Sequence, residues 1–220
     1  MKTDDLIDEL SERAGPVKPL PPPWMRATLW LVLGLPIVVA VIVVHKGAFD
    51  PVMITGDARM VVEELALLVT AASAALAAFQ STVPGASRRW FWVPFAALAL
   101  WLATVGQACV EDFLRLGLDG LSIRLDSDCV VPLLLIGPLP AAMLVVMLRR
   151  GAPLAPRLTF VLAGIAVAAL ANTGLRVFHV GDVSIMVLVW HVGLVAVFAC
   201  VAAWLGPIAL RWRHPANAIA

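Results

Sequence analysis

The sequence has no tyrosine and few charged residues, and these shortages limit what the protein can be. Charged side chains make up 14% of the 220 residues, whereas 61% are apolar, and a water-soluble domain carries far more charge than this. The formal net charge is only +1, so no basic surface for direct nucleic-acid binding is expected. Three cysteines without a CxxC pair and four histidines do not give the ligand spacing of a structural zinc site.

The sequence also lacks the common motifs of hydrolytic and nucleotide-dependent enzymes. It contains no GxSxG elbow, no HExxH pair and no Walker-type phosphate loop, which are the short motifs that carry those reactions. We therefore expect neither an enzyme nor a resident cofactor. Acidic residues between the apolar runs are dispersed, and they define no particular metal site.

Long hydrophobic runs are what the chain has in abundance. Six stretches contain no Asp, Glu, Lys or Arg and come near or exceed the ~20 residues with which a helix spans a bilayer. They are residues 27–44, 65–83, 90–110, 129–148, 158–175 and 183–210. Because the backbone in lipid must satisfy its own hydrogen bonds, we predict an all-α fold, a polytopic bundle of six transmembrane helices over residues 27–210.

The distribution of lysine and arginine predicts how this bundle is oriented. Basic residues concentrate in cytoplasmic loops, and placing both termini inside puts most of the sixteen basic residues on the cytoplasmic side. The tryptophans 24, 90, 92 and 212 then fall near the inner membrane boundary, as an aromatic belt does. We expect a bacterial inner membrane, with residues 211–220 as a cytoplasmic tail.

Residues 1–14 differ from the rest of the chain and predict a short, acidic, amphipathic helix in the cytoplasm. Leu6, Ile7 and Leu10 share one face at helical spacing, while Asp4, Asp5 and Asp8 add negative charge. Residues 15–26 include PVKPLPPPW, and this proline-rich linker favours a semi-rigid polyproline II stalk of ~3.1 Å per residue. A solubilising tail is one interpretation, but the apolar stripe favours a helix that folds against a protein groove.

Polar residues inside the predicted spans leave two alternatives open, a small transporter or channel and a haem-binding protein. A conducting path would use polar side chains within the membrane. The candidates are His191, Asn172, Thr173, Gln107, Ser73 and Gln80. Haem would use His191 with His45 or His179 as second ligand. A neutral histidine that hydrogen-bonds to a neighbouring helix is the commoner arrangement. Glu63 and Glu64 are expected near the membrane interface, where water can solvate their carboxylates.

The cysteines occupy different positions relative to the predicted spans. Cys109 closes the third span and Cys129 opens the fourth, both on the outer side, where thiols meet oxidants and metal ions. Their helices are consecutive, so a disulfide between them requires only that their Cα atoms come within about 7 Å. Cys200 lies deep in the sixth span, where we expect it to pack as a small apolar residue.

Several segments together make the chain resemble a known family. These segments are the opening MKTDDLIDEL, the six spans, DSDC at the entry to span four, RRGAPLAPR between spans four and five, and the ending LGPIALRW. They resemble the NrsF-like membrane anti-sigma factors of proteobacteria over essentially the whole chain. The opening and the loop motif Arg149, Arg150, Gly151 and Pro153 are its most specific parts.

The resemblance implies that the protein holds an extracytoplasmic-function sigma factor at the membrane and releases it under envelope, oxidant or metal stress. We expect the sigma factor to contact residues on the opening helix, namely Asp4, Asp5, Leu6, Ile7, Asp8 and Leu10. Outer-side sensing is expected at Cys129, Cys109, His179 and Asp182. The family carries a second outer cysteine where this sequence has Val180. Three alternatives follow from its absence: Cys109 takes the place of this cysteine, His179 and Asp182 face a metal together with Cys129, or the protein responds to a different signal.

Overall fold

The computed structural model describes residues 3–13, 19–46, 56, 58–121, 135–151, 153, 155–175, 185 and 188–209. Over these residues the chain is all-helical, with seven α-helices and no strand, which confirms the predicted fold class. The helices are α1 (Thr3–Arg13), α2 (Pro23–Lys46), α3 (Ala58–Gln80), α4 (Val93–Leu116), α5 (Pro138–Arg149), α6 (Pro156–Leu175) and α7 (Gly193–Ala209). Short 3₁₀ segments, Arg88–Trp92 and Gly117–Leu121, flank α4, and the π-helical segment Leu188–Val192 precedes α7.

Five helical stretches among the described residues are long and apolar enough to cross a membrane. They are Pro23–His45, Ala58–Gln80, Arg89–Asp119, Pro156–Thr173 and Leu188–Ala209. The apolar helix Pro138–Arg149 is shorter, and residues 122–134 before it lie outside the described residues. The described residues therefore contain five candidate spans, as expected of a membrane protein, and the predicted count of six is not established.

Several helices extend beyond the charge-free stretches that predicted them, and α3 and α4 do so furthest. α3 begins at Ala58 and so includes Arg59, Glu63 and Glu64. α4 continues to Leu116, six residues beyond the end of the predicted third span at residue 110. Charged side chains are tolerated near the end of a span when they reach a partner or the interface, and an uncharged run is therefore shorter than the helix that contains it.

An alanine-rich seam between α3 and α6 forms the centre of the bundle. Alanines 66, 71, 74, 75, 77 and 78 of α3 and alanines 163, 166, 168, 169 and 171 of α6 are all buried. Small side chains allow two backbones to approach closely, which is how helices associate where lipid removes the hydrophobic driving force. The other membrane helices pack around this pair.

α2 is attached to the central helices by specific contacts. Trp30, fully buried, donates its indole N–H to the carbonyl of Pro140 in α5 over 2.9 Å. At Gly34 a Cβ atom would come within 2.8 Å of a Leu170 side-chain methyl of α6. The opposite face of α2 presents apolar side chains such as Val32 and Val39 to the outside, as a lipid-facing helix does.

α7 is the most peripheral membrane helix, and a glycine sets its position. A Cβ atom on Gly206 would lie 2.8 Å from the backbone oxygen of Pro156 and 3.0 Å from Cβ of Phe160, so only glycine allows α7 to approach α6 this closely. Trp204 is 72% exposed. Cys200 is also exposed, which corrects the expectation that it packs inside the bundle, because it lies on the outward face of α7.

Helix ends gather at two sides of the bundle. We call one side the basic end; it comprises the start of α2, residues 81–92, residues 149–151 and 155–157, and the last turn of α7. The acidic end comprises the start of α3 and the end of α4, with Arg59, Glu63, Glu64, Glu111 and Asp112. Trp24, Trp90 and Trp92 are exposed at the basic end, where aromatic side chains mark a membrane boundary.

Candidate functional site

Helix α1 presents an apolar stripe to the surroundings. Leu6 is 38% and Ile7 is 58% exposed, and both belong to the stripe predicted from the sequence. The backbone of Leu10 continues this face in α1, although its side chain lies outside what the structure describes. An amphipathic helix with an uncovered apolar face gains its stability from whatever covers that face.

The acidic residues of α1 lie opposite the stripe. At the angular spacing of a helix, Asp4, Asp5, Asp8, Glu9 and Glu12 fall together on the face away from Leu6 and Ile7, and all five are exposed. Asp4 and Asp5 sit in the first turn, where negative charge complements the helix dipole. The helix can therefore present apolar and anionic surface to one partner.

Arg26 is the residue by which the start of α2 is fixed to the basic end. Its side chain is only 5% exposed. One guanidinium nitrogen donates to Oγ1 of Thr82 over 3.3 Å, and another donates to the carbonyl of Met147. The guanidinium also lies over the ring of Phe79, with Cζ 4.4 Å from the ring centroid, an arrangement that attracts a cation to an aromatic face.

The loop motif predicted from the sequence meets the same network. The Nε of Arg149 donates over 2.8 Å to the carbonyl of Ala209, the last residue of α7, and a cation is favourable at such a helix C-terminus. Gly151 packs against Thr82 so closely that a Cβ atom would lie 2.6 Å from Oγ1 and 2.7 Å from Cβ of Thr82. Arg150 is exposed, and Pro153 is half-buried.

A hydroxyl pair connects this network to α6. Ser81 Oγ and Thr159 Oγ1 are 2.7 Å apart, and both side chains are buried. The Thr159 hydroxyl also reaches the Ala155 carbonyl over 3.1 Å. Sequence reasoning missed Arg26, Ser81, Thr82 and Thr159; the only available signal was a lone arginine between the proline stalk and an apolar run.

The acidic end holds one of the predicted sensing residues, Cys109. Its thiol is free and buried, at 9% exposure. Two residues further along α4, Glu111 forms a salt bridge with Arg59 of α3, and Gln107 Nε2 donates to Oε1 of Glu111 over 3.0 Å. Cys129, His179, Asp182 and Val180 lie outside the described residues, so the predicted Cys109–Cys129 pair is not seen together.

Two carboxylates at the acidic end are more enclosed than the sequence suggested. Glu63 is 2% and Glu64 is 7% exposed, whereas solvated positions at the interface were expected. Their burial follows from α3 starting early and packing against α4 and α6 along its length. In the part of the chain that the structure describes, no group of three His, Cys, Asp or Glu residues is arranged to hold a metal ion.

Most of the described polar residues considered for a conduction path are bonded within their own helices. Ser73 Oγ donates to the Val69 carbonyl over 2.6 Å. Asn172 Nδ2 donates to the carbonyl four residues earlier over 2.8 Å, and Thr173 Oγ1 to the carbonyl three residues earlier over 2.7 Å. Such bonds satisfy these donors inside the bundle, whereas Oδ1 of Asn172 and Oε1 of Gln80 are buried without a hydrogen-bond partner among the described residues. The side chain of His191, the proposed haem or proton ligand, lies outside the described residues.

Comparison with known proteins gives one family. The family model for NrsF, negative regulator of sigma F, matches residues 10–212. The match covers all the membrane helices, the stalk and the loop motif, and it begins within α1, after Asp4 to Asp8. No curated protein and no solved structure matches the chain.

Proposed function

Because the chain belongs to the NrsF family of negative regulators of sigma F, we propose that it binds an extracytoplasmic-function sigma factor through α1. The family makes the protein an anti-sigma factor, and its apolar helices make it a membrane protein. The proposal adds the class of sigma factor, a bacterial inner membrane and cytoplasmic termini. The role proposed is regulatory, not catalytic, and involves no direct contact with nucleic acid.

The exposed stripe of α1 is the observation that carries this proposal. Leu6 and Ile7 stand uncovered on a helix whose other face holds five carboxylates, at the end of a proline-rich stalk. A sigma factor binds DNA, so it offers basic surface that complements these carboxylates. The anionic inner leaflet would instead repel α1, which favours a protein partner over the membrane surface.

The first experiment is a pull-down from solubilised membranes with the intact protein and with a chain lacking residues 1–14. We expect an extracytoplasmic-function sigma factor to co-purify with the intact protein and to be lost with the truncated chain. Equal recovery with both chains would place capture elsewhere. If neither chain recovers a sigma factor, the proposal is wrong, and transport and haem binding are tested next. A visible absorption spectrum tests haem binding.

Point variants separate the two faces of α1. Ile7→Gln removes apolar surface without changing charge, and we expect it to weaken capture at least tenfold, as expected for a side chain central to an interface. Ser11→Gln is the control for an added amide, because Ser11 is exposed one turn after Ile7 and contributes no apolar side chain to the stripe. Lysine at Asp4, Asp5 and Asp8 together should abolish capture; unchanged capture would exclude electrostatic recognition.

Release is proposed to begin on the outer side, at Cys129 with Cys109, His179 or Asp182. Moving a two-state equilibrium from 1:99 to 99:1 requires about 5.5 kcal/mol of differential binding, and a covalent or metal bond supplies energy of that order. Cys129→Ser should abolish the response to oxidant and to added metal while leaving capture intact. A normal response of this variant would remove thiol sensing at Cys129.

A further inference from the structure

We propose that Arg26 is a positioning residue that couples the α5–α6 loop to α1, which we call the capture helix. This inference rests on the function proposed for α1. Arg26 lies in the first turn of α2, and its backbone N–H bonds to the carbonyl of Pro22, the residue that precedes this helix, over 3.3 Å. The contacts of the Arg26 side chain therefore hold the first turn of α2, next to the point where the stalk enters the membrane helix.

A single side chain here joins three segments that are distant in the sequence. Arg26 reaches Thr82, 56 positions away, and the Met147 carbonyl, 121 positions away. Phe79 at the end of α3 closes one face of the guanidinium. The planar guanidinium of arginine can donate hydrogen bonds to two acceptors in different segments at once, whereas the ammonium of lysine acts as a point charge.

The carbonyl that Arg26 binds lies in the last turn of α5. Met147 is two residues from the end of that helix, where carbonyls have no intrahelical partner. The loop that follows returns to the same spot, because Gly151 packs directly against Thr82. A shift of this loop must therefore move Thr82 or Met147, and both hold Arg26.

Burial of this charge points to a positional role. The partners that the structure gives Arg26 are a hydroxyl, a carbonyl and an aromatic ring. A buried cation held by neutral groups is costly compared with an apolar residue of similar volume, so a contribution to stability does not by itself explain an arginine at this position. The cost is understandable if the side chain has to hold the stalk, the α3–α4 turn and the α5–α6 loop in one arrangement.

Hydrogen exchange on the full chain in lipid nanodiscs tests the junction without a sigma factor. The amides of Ser81 and Thr82 bond to the carbonyls of Ala77 and Phe79, and that of Gly151 to Leu148. Arg26→Gln should speed exchange at all three amides at least tenfold. Arg89→Gln, an exposed arginine at the same end, is the control and should leave them unchanged. Exchange at Gly151 within twofold of the native rate would overturn the proposal.

A double-mutant cycle with sigma-factor affinity tests the coupling. Gly151→Ala pushes the loop away from Thr82, and we expect it to raise the Kd of the captured sigma factor at least threefold, within the range of coupled residues. In an Arg26→Gln background the same substitution should change nothing further. Gly106→Ala is the matched control, because a Cβ atom there meets nothing within 4 Å. Independent, additive effects of the two substitutions would overturn the coupling.

Two further outcomes separate this inference from the proposed function. If the intact chain captures no sigma factor, the proposed function fails, and the exchange experiment alone decides whether Arg26 holds the junction. If Arg26→Gln does not fold in the membrane, Thr82→Val removes one acceptor with little change in shape and replaces it in both experiments. Arg26→Lys keeps the charge without the planar guanidinium, so native behaviour of that variant would contradict the positional role.

Discussion

Replacing Phe79 with leucine should destabilise the bundle through Arg26 more than through lost packing. Phe79 is fully buried and Arg26 nearly so, with 4.4 Å between Cζ and the ring centroid. A desolvated cation–π contact is worth about 2 kcal/mol, and the smaller side chain costs roughly 1 kcal/mol more in packing. The sum of about 3 kcal/mol corresponds to roughly a hundredfold in the unfolding equilibrium constant.

The assay is reversible unfolding of the full chain in mixed micelles titrated with denaturing detergent. Phe113→Leu is the control, because Phe113 is 43% exposed at the opposite end of the bundle and should cost less than about 0.5 kcal/mol. In an Arg26→Gln background Phe79→Leu should cost only the packing part, about 1 kcal/mol. Equal costs in both backgrounds would refute the cation–π reasoning and leave Phe79 as a packing residue.

Three further predictions use the same unfolding assay. Gly206→Ala should destabilise the protein more than Gly34→Ala, because the new methyl meets a fixed backbone oxygen at Gly206 but a movable leucine methyl at Gly34; the reverse order would contradict this packing. Trp30→Phe should cost at least about 1 kcal/mol, because it removes one hydrogen bond and leaves space around a fully buried side chain; no cost would mean that neither contributes. Arg59→Gln should have a small effect that disappears at high salt, since its bridge to Glu111 is partly exposed; a large, salt-independent loss would argue against a simple surface pair.

The existence and type of the membrane helices could be predicted from the sequence, but their ends could not. A long apolar run identifies a helix that can face lipid, and every predicted charge-free run contributes residues to an observed helix. A rule that admits no charge starts the second span at residue 65, whereas α3 begins at Ala58. Burial of Glu63 depends on which helices pack beside it, and that information is not local in the sequence.

The sequence predicted the exposed stripe of α1 but not the structural reason for the loop motif. The stripe of α1 follows from helical spacing alone, and the structure shows Leu6 and Ile7 exposed on it. The motif around Gly151 was recognised by resemblance, but its steric reason, the contact with Thr82, required the fold. Arg26 looked like one more cytoplasmic arginine, because nothing near it in the sequence shows that its acceptors lie 56 and 121 positions away.

The alanine seam between α3 and α6 has a thermodynamic consequence. Alanine has no rotamers to lose, so burying it costs no side-chain entropy, and the two helices associate with only the backbone to order. The same smoothness leaves few interlocking side chains that would resist sliding of one helix along the other. Packed helices that slide past each other by small amounts provide shear motion. The α3–α6 seam, although it is the centre of the bundle, is therefore also the interface at which sliding of one helix along the other meets the least steric resistance.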